Sequence, residues 1–181
     1  MAPLLVEGVL FDCLGRLEGV NTLVLKLEES QPVFADLAAA RPARAARAFD
    51  AALKIDPHLI EARLRVSRIR AMSDPHAMVA LENIARDEAA SPFGYLAAMS
   101  RAFAAQTQHD AAVAIRWYER SLELNPRSTA AAFALSALKP ASALSFEALD
   151  AHDLYYDYPC RILTPGVGAA VSTRMTNVVV K

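Results

Sequence analysis

Four histidines and two cysteines are the residues of this chain with the most chemistry in them. An imidazole beside a carboxylate could move protons, and a thiol beside an imidazole could act as a nucleophile. His58 and His76 each follow an Asp-Pro pair, and His109 precedes Asp110, so three of the four stand at turn signals rather than in one cleft. A solvated turn histidine is the favoured reading of each. His152-Asp153 with Cys160 suggests a thiol–imidazole pair, but the aromatic stretch between them gives no reason for the side chains to meet. Cys13 and Cys160 lie near opposite ends of the chain, in neither a disulfide framework nor a zinc spacing. Both are expected as reduced thiols, Cys13 as a packing residue on a helix face.

Phosphate chemistry has no better footing. The glycines at 8, 15, 19, 94, 166 and 168 make no phosphate cradle. No Gly-Lys-Ser/Thr, Gly-x-Ser-x-Gly, His-Glu-x-x-His or calcium-loop pattern occurs. The expectation is a protein that is not an enzyme, with no catalytic, cofactor-binding or metal-binding residues. A small thiol- or metal-dependent enzyme is the reading this displaces; it would require a reactive Cys160 or bound metal.

The elements that would have to position any site are helical. The chain has 181 residues, 54% hydrophobic and 22% charged, and is rich in alanine, the best intrinsic helix former. Its net charge of −1 gives no global field for a nucleic-acid backbone or an anionic membrane, so neither is expected as a partner. Glu7, Asp12 and Glu18 interrupt the apolar N-terminal stretch, and no basic segment precedes it, which speaks against a signal peptide. A soluble, cytoplasmic protein is the resulting expectation.

Prolines 32, 57, 92 and 126 form a ladder whose last two intervals are 35 and 34 residues. Before Pro126 the run Ala114, Tyr118, Ser121, Leu122 and Leu124 matches Ala45, Phe49, Ala52, Leu53 and Ile55 before Pro57 without a gap, and Ala102 adds a small residue upstream. These residues resemble the tetratricopeptide repeat, a helix-turn-helix of 34 residues with small, aromatic and proline positions at fixed offsets. Gly8, Phe11, Gly15, Val20, Val24 and Pro32 fit an N-terminal copy. Before Pro92, Ala80 and Ile84 fit, while Asp87 and Glu88 stand where small and apolar residues belong. The interval from Pro32 to Pro57 is short, so that unit is expected to have lost part of its first helix around Val33 to Ala40. The packing set is Gly8, Phe11, Ala45, Phe49, Ala52, Ala80, Ala102, Ala114 and Tyr118.

The resemblance implies an all-α, right-handed superhelix over residues 1–139, a capping helix in 140–152, and an aromatic extended tail with a weak terminal helix in 153–181. Asp74 before Pro75 and Asp110 before Ala111 are helix-capping signals. Tail tyrosines 155, 156 and 158 are expected to dock on the last helix pair rather than to form a recognition patch. Val178 to Val180 has strand propensity without a visible partner.

In such arrays the first helix of each pair lines a concave groove. The resemblance places Leu96, Met99, Phe103 and Gln106 there, with Ala130 and Phe133 from the following helix. Glu61, Leu64, Arg68 and Ala71 take the same positions in the preceding helix. Between residues 41 and 70, seven arginines and Lys54 face only Asp50, Asp56 and Glu61, which reads as a solvated basic face able to steer an acidic peptide. The resemblance thus implies a scaffold or adaptor that binds a protein or peptide in its groove, with homo-oligomers left open. The alternative is a C-terminal structural fragment of a longer array or multidomain protein whose activity lies upstream.

Overall fold

The computed structural model describes residues 2–21, 32–139 and 153–165. It falls into two compact units, one made of Met1–Ala62 with Tyr158–Lys181 and the other of Arg63–Asp157. The described residues are helices and turns, with no strand among them.

The first unit holds α1 (Ala2–Asn21) and α2 (Pro32–Ile55), which pack on each other. Leu5, Gly8, Val9 and Asp12 are buried at spacings of three and four, the signature of one helix face. From α2 come Ala45, Ala48, Phe49 and Ala52, with the same periodicity. Gly8 is required where it stands: a Cβ there would lie 2.4 Å from Cε1 of Phe49, a fully buried ring. Residues 33–40, expected as the remnant of a shortened helix with its own turn, instead belong to α2, which runs unbroken through Pro42. Strong helix formers, mostly alanine and arginine, flank that proline on both sides and outweigh the lost backbone donor.

The C-terminal segment returns to this unit. A 3-10 turn, Tyr158–Cys160, packs against α1. Cys13 and Cys160 are joined in a disulfide with their Cα atoms 4.6 Å apart, which corrects the expectation of two reduced thiols. The two cysteines are 147 residues apart, a separation with no spacing signature, and only the fold brings them together.

The second unit contains most of α3 (Ile60–Arg70), then α4 (Pro75–Asp87), α5 (Pro92–Thr107), α6 (Ala111–Leu124), α7 (Thr129–Leu138) and the single turn α8 (Leu154–Asp157). α4 packs on α5, α5 on α6 and α6 on α7. Caps fix the helix starts: Asp74 accepts from the His76 amide at 2.9 Å, Asp110 from Val113 at 3.1 Å and Ser128 from Ala131 at 3.0 Å. α5 is buried nearly all round, with alanines at 97, 98, 102, 104 and 105 that let its neighbours approach closely. Gly94 belongs to the same close packing, since a Cβ there would meet the Glu88 carbonyl oxygen at 2.4 Å. Asp87 and Glu88 pose no packing problem, because α4 ends at Asp87 and Glu88 is its C-cap.

Of the packing set, Gly8, Ala45, Phe49, Ala52, Ala102, Ala114 and Tyr118 are buried, while Phe11 and Ala80 are half-buried. The tail expected to be extended forms α8 and the 3-10 turn instead. The helix expected over 142–151, His152, the weak helix after Pro165 and Val178 to Val180 lie outside the described residues.

Candidate functional site

Leu96, Met99, Phe103 and Gln106 lie along α5 at spacings of three and four, so they share one stripe of the helix. Exposure changes along it. Leu96 is fully buried and Met99 nearly so, whereas Phe103 is 54% exposed. Gln106 is held by the Tyr118 hydroxyl, which donates to its Oε1 at 2.6 Å. On α7, Ala130 is buried and Phe133 is 73% exposed. On α3, Leu64 is fully buried and Arg68 half-buried. The residues expected to line a groove therefore divide into a core set, Leu64, Leu96, Met99 and Ala130, and a solvent-facing pair, Phe103 and Phe133.

The first turn of α5 and the N-terminus of α7 meet at a buried carboxylate. Asp153 is 2% exposed; it accepts at Oδ1 from the Tyr95 hydroxyl at 2.7 Å and at Oδ2 from the Ser128 hydroxyl at 2.7 Å. The amides of Ala130 and Tyr155 complete the set at 3.0 and 2.9 Å. Each hydroxyl has one proton, and each spends it on a different carboxylate oxygen. Burial works to raise the Asp153 carboxyl, but the four donors outweigh it and hold the group below its ordinary value. Burial also pushes the Tyr95 phenol well above the usual tyrosine range, as it does Tyr118. Asp153 thus fastens the segment that follows residue 152 to α5 and α7. Of the tail tyrosines, Tyr156 stays 58% exposed, stacked edge-on against Tyr155 with ring centroids 6.2 Å apart, while Tyr158 is buried.

A second carboxylate does similar work in the first unit. Glu61, fully buried at the start of α3, accepts from the amides of Leu163 at 3.0 Å and Thr164 at 2.7 Å and from the Thr164 hydroxyl at 2.6 Å. It is a tail clamp rather than a groove residue.

His58 and His109 sit at exposed turns and His76 is exposed at the start of α4; the amides of His58 and His76 donate to Asp56 and Asp74 at 2.9 Å. His109 adopts φ 62°, left-handed backbone between α5 and α6. Among the described residues no group of three or more histidine, cysteine or acidic side chains could hold a metal ion.

No protein-family model, curated protein or solved structure matches the chain.

The basic stretch does not form one solvated face. Arg44 and Arg47 are exposed, the former with its guanidinium 5.5 Å from the Phe11 ring centroid, but Arg65 is fully buried. Sequence reasoning missed Asp153, Glu61 and the disulfide. Ser128 carried a signal, an N-cap serine two residues after Pro126; the acids that reach across the fold carried none.

Proposed function

We propose that the chain is a protein-interaction module of tetratricopeptide-like helical repeats, a scaffold that binds a peptide or helix of a partner protein. The observation that carries this reading is the run of consecutively packed helices α4 to α7 from which two large aromatic residues, Phe103 and Phe133, project into solvent. Aromatic side chains are over-represented in the centres of protein interfaces, where each buries a large area.

The module works in an oxidising compartment, because the Cys13–Cys160 bond is of the kind that reducing cytoplasm does not maintain. That replaces the cytoplasmic expectation. No helix among the described residues is long and apolar enough to cross a membrane.

The test is capture from a lysate of the source organism with wild type beside a Phe103→Glu/Phe133→Glu double variant, both checked for equal helicity. These two positions are chosen because they are exposed, whereas Leu96→Glu would bury a charge and unfold the unit. Binding lost in the double variant supports the reading. Capture of the same proteins by both forms, or by neither, rejects it.

A further inference from the structure

A second surface of the Arg63–Asp157 unit has a different chemistry. Arg86 of α4, Arg101 of α5, and Arg116 and Arg120 of α6 line a cleft of about 440 Å³, with Trp117 in its wall and Glu82 as its one lining acid. Arg101 stands two positions before Phe103. At about 100° per residue the two side chains leave α5 on nearly opposite sides, so this cleft is separate from the Phe103 face.

The four guanidinium groups are not equally committed. Arg101 is fixed: its Nε donates to Glu82 at 2.7 Å, its side chain is 14% exposed, and it lies 6.0 Å from the Trp117 ring centroid. Arg86 pairs with Asp87 at 2.9 Å and Arg120 with Glu123 at 2.7 Å, but the side-chain exposures of 71 and 61% and of 38 and 63% leave both pairs screened by water and easily exchanged. Arg116 is exposed and makes no ion pair among the described residues. It stands four positions before Arg120, so two like charges share a face of α6, an arrangement that weakens a helix. An anion bound between them removes that penalty.

We propose that this cleft binds a phosphorylated segment of a partner protein. A phosphoryl group carries close to two negative charges and three acceptor oxygens, which suits guanidinium forks arriving from two helices better than a planar carboxylate does. The cleft is partly open to solvent, and small-molecule sites bury most of their ligand; a chain segment instead gains contact on either side of its phosphate. Trp117, Val113 and Ala85 supply apolar lining for its neighbouring residues. Arg101, held by Glu82, keeps the indole in place.

Trp117 is the chain's single tryptophan, so its fluorescence reports on this cleft alone. The probes are degenerate peptide pools with phosphoserine, phosphotyrosine, serine or glutamate fixed at the centre, together with inorganic phosphate and a single-stranded RNA. A phosphopeptide pool is expected to bind at least about tenfold more tightly than the serine and glutamate pools, the scale of one added charged hydrogen bond. Arg116→Ala should abolish the difference. Arg116→Lys, which keeps the charge and loses the fork, should reduce it only in part, by about threefold. Both variants alter an exposed side chain, and circular dichroism checks that they stay folded. Equal binding of the glutamate pool, saturation by inorganic phosphate at the same concentration, tighter binding of RNA, or an undiminished response in Arg116→Ala each overturns the proposal. None of these variants touches Phe103 or Phe133, so the outcome is independent of the groove.

Discussion

The Tyr95 hydroxyl donates to the Asp153 carboxylate at 2.7 Å across 58 residues of chain, inside a site from which water is nearly excluded. Tyr95 lies in the first turn of α5, and Asp153 immediately precedes α8. Together with Ser128 they tie three separate pieces of the Arg63–Asp157 unit through a single charge.

Removing that charge leaves two hydroxyls and two amides without their acceptor. Asp153→Ala should therefore destabilise the unit by about 3 kcal/mol, and Tyr95→Phe by about 1 to 2 kcal/mol, since one donor of four is lost. Urea unfolding of each single variant and of the double variant measures both. The two effects should fall short of additive, because the residues share one network.

The same carboxylate sets a dependence on acidity. Its value in the folded protein is below that of the unfolded chain, so the stabilisation is fully present above about pH 4 and is lost as pH falls through the lower, folded value. Wild type should lose stability below pH 4 more steeply than Asp153→Asn. Tyr95 and Tyr118 act at the other end. Their raised values mean that their contribution is complete below about pH 10 and is lost as pH rises beyond it. Denaturant midpoints across both ranges test the signs.

In the other unit Gly8 faces the Phe49 ring with no room for a Cβ. Gly8→Ala should cost about 1 to 3 kcal/mol despite the higher helix propensity of alanine, because the ring has to move. Phe49→Leu in the same chain should recover part of the loss, a coupling that a double-mutant cycle detects.

Much of the helical layout was legible. Asp74 and Asp110 mark helix starts by local chemistry, and the small and aromatic positions Ala102, Ala114 and Tyr118, picked out by the repeat resemblance, are buried. What stayed hidden depends on long sequence separations or on competition between local signals. Pro42 looks like a helix end and is a helix interior, because the alanines around it outvote it. Asp153 and Glu61 look like solvated acids, and only the returning tail shows that each has three or more donors aimed at it. Leu96 and Phe103 share a stripe by periodicity, yet periodicity is silent on where along the helix the covering neighbours stop.

Glu61→Ala should release the tail without unfolding the helices. The amides of Leu163 and Thr164 lose their acceptor, and their hydrogen exchange should accelerate by at least about tenfold while that of α5 is unchanged. Exchange followed by mass spectrometry resolves the two segments.

Reducing the disulfide should lower the stability of the unit that holds it by about 2 to 4 kcal/mol. Unfolding of wild type with and without reductant, beside Cys13→Ser, checks the size and the assignment. A reductant effect that persists in Cys13→Ser would point to another cause.

The disulfide also decides how the molecule would carry tension. Force applied at the two ends of the chain passes from Cys13 to Cys160 through the sulfur bridge and bypasses everything between them, a span of 147 residues. Roughly 500 Å of contour length is shielded in this way, and single-molecule pulling should release it only after reduction. While the bridge is closed, the Arg63–Asp157 unit is a mechanically silent passenger on the strand that bears the load.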